Sequence, residues 1–198
     1  MKYSYRVEQA IRAAAILHKD QVRKGAQALP YVTHLFAVAT IASDYTDEED
    51  VIIAALLHDT IEDTDYTPEE LQADFGGPVK DMVLAVSEPL LPEGRAHDWH
   101  LKKKTYIKQL KKAPIGSLIV AAADKIHNMR CVVEEYYDAH DKFVADFGGS
   151  LEDRVLLYQE ISNILNRRLE NEILSEFNYV FDEYKKFIDH VQKEAEKF

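Results

Sequence analysis

Four side chains that could bind a metal ion stand in otherwise apolar stretches of this sequence. In chain order they are His34, His58, Asp59 and Asp124. Two imidazoles and two carboxylates brought together make a mixed nitrogen and oxygen site for a divalent cation. A catalytic metal is therefore our leading hypothesis. The ordinary alternative is that these residues are hydrogen-bonded core histidines and members of structural ion pairs.

The surroundings of the two acids favour the metal hypothesis. The pair His58-Asp59 ends the apolar run 51–57, and Asp124 follows the apolar run 118–123. Both acids are therefore expected at the ends of largely buried helices. An uncompensated carboxylate is costly in such a place, and a bound cation is a natural counter-charge.

A second acidic pair follows the first acid at helical spacing. Glu62 and Asp63 lie three and four positions beyond Asp59, so one further turn of helix would place either of them beside the ion. They could orient or deprotonate an attacking water, or they could simply end the helix, and the spacing favours neither reading. Asn128, one turn after Asp124, faces either the site or the solvent.

The composition describes an ordinary globular protein with an acidic balance. The chain has 198 residues, of which 46% are hydrophobic and 30% charged, and we expect one domain over residues 1–198. A formal net charge of -11 works against non-specific binding to nucleic acid or to anionic membranes. Any phosphate site must then be local, and the pair Arg23-Lys24 is the first candidate. Other basic groups are Lys102–Lys104, Lys111-Lys112, and Lys125 with Arg130.

The N-terminal residues, the lengths of the apolar runs and the cysteine content bear on cellular location and on disulfide formation. The first residues have no apolar signal-peptide core, and no apolar run approaches the length that spans a bilayer. We therefore expect a cytoplasmic protein. Cys131 is the single cysteine, which leaves no intrachain disulfide and no cysteine-rich zinc site within one chain.

Helical periodicity extends along the chain, and no alternating strand pattern competes with it. The third predicted helix carries His58 and Asp59, and Thr67 with Glu70 forms a predicted capping box. The predicted class is all-α, with metal ligands from at least three helices. The first predicted helix begins after residue 5, the third begins near 47–50 and another begins at 115. The remaining predicted helices cover about 31–45, 68–75, 79–87, 99–112, 151–174 and 177–197. Loops are predicted at 89–94 and from about 138 to 149.

The residues around the four candidate ligands form longer motifs that resemble a known family. The order of the four residues resembles the HD superfamily of metal-dependent phosphohydrolases. The strings PYVTH (30–34), AALLHDTIEDT (54–64) and ADKIHNMR (123–130) are similar to the hydrolase domain of the RelA/SpoT alarmone enzymes. The likeness covers about residues 6–135 and leaves a helical C-terminal extension over about 150–198. Within that family the chain most resembles the small stand-alone alarmone hydrolases.

This resemblance implies an HD-domain helical bundle with one Mn²⁺ ion held by His34, His58, Asp59 and Asp124. It implies that Glu62 and Asp63 prepare the attacking water. It also implies that Arg23, Lys24 and Asn128 contact a small nucleotide substrate and its phosphates. The implied reaction removes the 3′-diphosphate from guanosine tetraphosphate or pentaphosphate and releases pyrophosphate.

Two alternatives stay open beside this reading. An HD phosphatase acting on another nucleotide or phosphate ester would keep the ligands and change the pocket. A regulatory module would keep the metal and lack turnover. The same donors also accept Fe²⁺, Zn²⁺ or Co²⁺, and the sequence predicts no oligomeric state.

Two features depart from the pattern or fall outside it. Residues 88–93 are acidic and proline-containing where the alarmone enzymes would have a more basic loop. The remaining histidines are interpreted as surface or packing residues. They are His18, His97, His100, His127, His140 and His190.

Overall fold

The computed structural model describes residues 1–24, 28–89, 98–147 and 150–195, and these contain eleven α-helices and no β-strand. A single bridge pairs Val22 with Pro30. The all-α prediction is confirmed. The helices are α1 Tyr5–Leu17, α2 Val32–Tyr45, α3 Glu49–Leu57, α4 Thr60–Asp63, α5 Pro68–Phe75, α6 Gly77–Val86, α7 Trp99–Leu110, α8 Ile115–Tyr136, α9 His140–Phe147, α10 Leu151–Arg168 and α11 Ile173–Ala195.

The long helix α8 lies at the centre of the bundle. It contacts α2, α3, α6 and α11, and also α9 and α10. Residues 118–123 of α8 are buried, as are residues 51–57 of α3. A helix that is apolar all round is stable only inside a protein, and each buried Leu, Ile or Val contributes about 1.5–3 kcal/mol. The two apolar runs therefore fix α3 and α8 side by side in the core.

Side-chain caps set several of the helix starts. Ser4 caps α1, Asp98 caps α7 and Ser150 caps α10, each accepting a hydrogen bond from a backbone N–H of the first turn. Thr67 and Glu70 form the predicted capping box at the start of α5. Each such cap stabilises its helix by about 1 kcal/mol.

Two C-terminal elements differ from the sequence prediction. The predicted loop after residue 138 contains α9, whose Phe143 packs against Tyr136 and Phe187. This eight-residue helix is too short to be stable alone, so its tertiary aromatic contacts decide its conformation. The boundary between the last two helices also lies earlier than predicted, because Asn171 accepts a hydrogen bond from the Ile173 amide and starts α11 there.

Three ligand candidates also lie elsewhere on their helices than expected. The third helix ends at Leu57, so His58 and Asp59 occupy the bend between α3 and α4. Asp124 lies in the middle of α8 and not at a helix end. Lys125 and Asn128, which follow Asp124 on the helix, line the site, and α11 packs against α8.

Some predicted features fall outside the described residues. The loop residues 90–94, His97, Gly148-Gly149 and the end of the last helix at 196–197 are among them. Among the described helices, none combines the length and the apolar character that crossing a bilayer requires.

The turn between α5 and α6 supplies a stability test. Gly76 has φ 93° and ψ 167°, a conformation open almost only to glycine. We expect Gly76→Ala to lower the free energy of unfolding by about 1–3 kcal/mol. Gly77→Ala is the control, because an added Cβ there meets no atom within 4 Å. Urea denaturation of both variants measures the difference, and equal stability of the two would contradict the assignment.

Candidate metal centre

The four predicted ligand residues converge on one point in the core. His34 comes from α2, His58 and Asp59 from the bend after α3, and Asp124 from α8. His34 Nε2 lies 3.6 Å from Asp59 Oδ2 and 3.3 Å from Asp124 Oδ1. His58 Nε2 lies 3.1 Å from Asp59 Oδ2 and 3.7 Å from Asp124 Oδ1. Each imidazole nitrogen thus faces both carboxylates.

The spacing and chemistry of these donors fit a divalent cation. Neighbouring ligands around one ion with bonds near 2.1 Å are about 3 Å apart, close to the observed separations. His34, His58 and Asp59 offer ligand atoms that all lie within 4.8 Å of one another, and Asp124 adds a fourth. His58 Nε2 is buried and has no hydrogen-bond partner in the described part of the chain. A bound cation would satisfy this nitrogen.

A second layer of hydrogen bonds orients both imidazoles. His58 Nδ1–H donates to the Ala55 carbonyl oxygen at 2.9 Å, which leaves the lone pair of Nε2 pointing at the carboxylates. His34 Nδ1 lies 2.9 Å from Nδ1 of His127. Burial, then the neighbouring His34, lowers the pKa of His127 to about 3, so this ring is neutral and its Nδ1 can accept a hydrogen bond from the Nδ1–H of His34. Both rings therefore present Nε2 as a ligand atom.

The two carboxylates are also held by neighbours. The Tyr31 hydroxyl donates to Asp59 Oδ2 at 2.7 Å. Asp124 accepts hydrogen bonds from Lys125 Nζ on Oδ2 and from Asn128 Nδ2 on Oδ1, both at 2.5 Å. These donors fix the orientation of each carboxylate without closing the space between the imidazoles.

Charge in this cluster is balanced by opposing contacts. Burial acts to raise the pKa of Asp124, but the Lys125 ammonium and the two imidazoles outweigh it and hold the pKa well below its usual range. Burial acts to lower the pKa of His58, but Asp59 and Asp124 raise it well above its ordinary value. The site is therefore anionic enough to attract a proton or a metal ion to the imidazoles.

The predicted catalytic acids occupy different positions. Glu62 lines the same cleft of about 140 Å³ as the four ligand candidates, and its Oε1 accepts a hydrogen bond from the Glu88 amide at 2.5 Å. Although Glu62 is solvent-exposed at the mouth of the cleft, desolvation by the surrounding protein and then the Asp59 charge raise its pKa. Asp63 does not line this cleft, and its side chain lies toward the neighbouring surface cavity.

The three predicted substrate contacts line a second cavity, of about 420 Å³, which adjoins the first through Tyr31 and Asn128. Arg23 Nη2 donates to Asn128 Oδ1 at 2.7 Å. Lys24 Nζ lies 3.4 Å from the Asp146 carbonyl oxygen. Aromatic rings form much of the remaining wall. They belong to Tyr136, Phe143, Phe147, Tyr158 and Tyr184.

Sequence reasoning missed several residues that shape these cavities. His127 was interpreted as a surface or packing residue, yet its ring contacts His34 directly. Its place one turn from Asp124 and next to Asn128 was the available signal. Tyr31 carried no signal beyond its position three residues before His34. Lys103, by contrast, belongs to the basic group Lys102–Lys104 identified in the sequence; it lines the metal cleft and pairs with Glu88, which follows α6.

The other described histidines and basic residues lie apart from the cluster. His18 is buried and stacks on Tyr31. His100 is exposed near Asp153. Arg130 pairs with Glu176 of α11, at 2.5 Å, so it does not face the cleft. The pair His140 and His190 is close to Glu194 on another part of the surface.

Comparison with protein families and known proteins agrees with this geometry. The family model for the HD domain matches residues 10–146. The chain is 35% identical over 120 residues to a human protein named guanosine-3′,5′-bis(diphosphate) 3′-pyrophosphohydrolase MESH1, covering 59% of this chain and 64% of that protein. It is 35% identical over 125 residues to a GTP pyrophosphokinase of Streptomyces coelicolor, covering 63% of this chain and 14% of that enzyme. The match therefore spans less than two thirds of either relative.

Solved structures show the same fold. A structure described as a metazoan ortholog of SpoT that hydrolyses ppGpp superposes with a TM-score of 0.74 at 26% identity, covering 92% of this chain and 97% of that one. The protein lmo0812 of Listeria monocytogenes superposes with a TM-score of 0.63 at 27% identity, covering 86% and 99%.

The contact between His34 and His127 generates a test of the second layer. We expect His127→Ala to weaken the binding of a divalent cation by about 10–100-fold, because His34 loses the partner that fixes its tautomer and ring orientation. Isothermal titration with Mn²⁺ measures the affinity, and circular dichroism checks the fold. The exposed His100→Ala serves as the control. Unchanged affinity in His127→Ala would show that His34 needs no such support.

Proposed function

The chain belongs to the HD-domain family, and from this premise we propose that it is a metal-dependent hydrolase of guanosine tetraphosphate and pentaphosphate. It would remove the 3′-diphosphate and release pyrophosphate. The observation that carries the proposal is the convergence of His34, His58, Asp59 and Asp124 in one cleft with Glu62 at its mouth. Relatives about 35% identical are named 3′-pyrophosphohydrolases of guanosine bis-diphosphate, which supports the choice of substrate.

We propose that His34, His58, Asp59 and Asp124 bind one Mn²⁺ ion. Two imidazoles and two carboxylates suit this ion, and the orphaned His58 nitrogen supports a cation at that point. The bound ion would lower the pKa of water and offset negative charge at the attacked phosphate. Fe²⁺, Zn²⁺ and Co²⁺ suit the same donors, so the choice of Mn²⁺ rests on the family resemblance.

Glu62 is our proposed general base. It lies one helical turn from Asp59 and at the mouth of the cleft, where an attacking water must enter. The Glu88 amide holds Oε1, so Oε2 remains to accept the proton. The pKa of Glu62 is raised to about 7, which is close to neutral pH and favours proton transfer. Asp63 would act from the neighbouring cavity by helping to orient Tyr31, which in turn donates to Asp59.

Arg23, Lys24 and Asn128 are our proposed substrate contacts. Arg23 is hydrogen-bonded to Asn128, and Asn128 is hydrogen-bonded to Asp124. A phosphate bound by Arg23 and Asn128 would therefore lie beside the metal cleft. Their cavity of about 420 Å³ lies within the range of small-molecule sites. Its aromatic wall suits a planar base, and its cationic edge suits phosphates. The partner is therefore a small nucleotide.

The charge distribution supports an anionic substrate despite the acidic composition. Five basic side chains line the two adjoining cavities in addition to the ligand cluster. They are Arg23, Lys24 and Arg154 in the larger cavity and Lys103 and Lys125 in the metal cleft. A local cationic lining inside a protein of net charge -11 selects for a small, highly charged ligand over a nucleic acid. No observation favours the alternative phosphatase or the regulatory module.

Product analysis tests the proposed reaction. Protein stripped of metal and reloaded with Mn²⁺ is expected to convert guanosine tetraphosphate to GDP and pyrophosphate, and to leave simple nucleotides intact. Asp59→Ala is expected to lose both metal and turnover, because it removes a ligand, whereas the exposed Asp81→Ala should match the wild type. Release of orthophosphate from a nucleotide panel would instead support the phosphatase, and no turnover of any phosphate ester would support the regulatory module.

A change at Glu62 separates proton transfer from metal binding. We expect Glu62→Gln to keep the metal content of the wild type and to lower kcat by about 10²–10⁴-fold, because it removes the proton acceptor without removing a ligand. Metal analysis and steady-state kinetics give the two readouts. Glu69→Gln, an exposed change on α5, is the matched control. Loss of metal in Glu62→Gln would reassign this residue as a ligand or its support.

A further inference from the structure

A second group of possible metal ligands lies where α9 meets the end of α11. His140 is the first residue of α9, and His190 and Glu194 lie one turn apart on α11. Within the described residues, this trio and the cluster in the core are the sets of histidine and acidic ligand atoms that lie within 4.8 Å of one another. None of the three residues lines the metal cleft or the proposed substrate cavity.

The three side chains are arranged around one carboxylate. His140 Nδ1 contacts Glu194 Oε2, and His190 Nε2 lies 3.4 Å from Glu194 Oε1. The two imidazole rings meet edge to face, with centroids 5.2 Å apart and an interplanar angle of 64°. The spacing of His190 and Glu194 by four residues puts both on the same face of α11. Two nitrogen donors and one oxygen donor therefore point into a shared space.

Burial makes this group a half-open site. The His140 side chain is 14% exposed and rests on Phe187, whereas that of His190 is 66% exposed. In an ordinary ion pair only one imidazole would contact the carboxylate, and the other imidazole would point into solvent. Here a largely buried imidazole provides a fixed donor, while the exposed donors can rotate to the spacing of about 3.3 Å that tetrahedral coordination requires.

The neighbouring charges also favour a cation. The trio borders a surface cavity of about 700 Å³ whose wall includes Asp138, Asp141 and Glu183. Lys186 is a basic residue of the same wall, and it pairs with Glu183 at 2.8 Å. The local field is therefore negative, while the cavity keeps the outer side of the trio open to water or a small anion as a further ligand.

We propose that His140, His190 and Glu194 form a second metal site that binds Zn²⁺. Two imidazoles and one carboxylate with a position open to solvent are a donor set that this ion uses. The site would join the first residue of α9 to the last turns of α11 with coordinate bonds. Since α9 carries Phe143 and Phe147 of the substrate cavity wall, the ion would stabilise that wall from its outer side.

Counting bound metal tests the proposal. Untagged full-length protein is titrated with ZnCl₂ by isothermal calorimetry, and bound zinc is measured after equilibrium dialysis. The wild type is expected to bind two equivalents, and His190→Ala and Glu194→Gln one each. Glu194→Gln keeps the shape and a hydrogen-bonding oxygen beside His140 but removes the charged ligand. His100→Ala, an exposed histidine outside the trio, should retain two.

Asp59→Ala separates this site from the core cluster. This variant is expected to keep one zinc equivalent, which Asp59→Ala/His190→Ala should lose. Because the readout is stoichiometry and not hydrolysis, failure of the proposed reaction leaves the result interpretable. Equal zinc content in the wild type, His190→Ala and Glu194→Gln would overturn the proposal. If Asp59→Ala does not fold, the comparison of the wild type with the two α11 variants still decides it.

Discussion

Two carboxylates and two imidazoles are enclosed among apolar helices, and the surrounding residues are arranged to compensate this buried charge. Removing one uncompensated charge from water costs several kcal/mol, so the fold must supply partners for Asp59 and Asp124. It supplies Tyr31, Lys125 and Asn128 as hydrogen-bond donors. Within the described residues the Nε2 atom of His58 has no hydrogen-bond partner, so the centre of the cluster stays available to a cation.

The positions of the candidate ligand side chains are set by a small number of helices. The apolar runs of α3 and α8 fix two backbone segments in the core, and the bend after α3 presents two consecutive ligand candidates, His58 and Asp59. His127 then couples α8 to the His34 ring on α2, and Arg23 couples the segment before α2 to Asn128. The candidate metal cleft and the neighbouring cavity therefore share the same supports. A change in the orientation of a candidate ligand would therefore also change the position of a substrate bound in the neighbouring cavity.

The helical class, the capping box of α5 and the proximity of the four candidate ligand residues could be predicted from the sequence. These features follow from local rules, namely apolar periodicity, side-chain caps and the cost of burying carboxylates. The sequence did not predict α9, the early start of α11 or the contact of His127 with His34. Each of these depends on tertiary contacts, such as Phe143 on Tyr136, that no local pattern encodes. The paired Glu88 and Lys103 likewise come together only in the folded chain.

We propose that one divalent cation binds among these four side chains. Crystals grown with Mn²⁺ and measured on both sides of the manganese absorption edge would test this proposal. We expect an anomalous difference peak within coordination distance of His34, His58, Asp59 and Asp124 if it is correct. A fully ordered cluster with no manganese peak, or a peak bound elsewhere while these side chains stay hydrogen-bonded to one another, would contradict it.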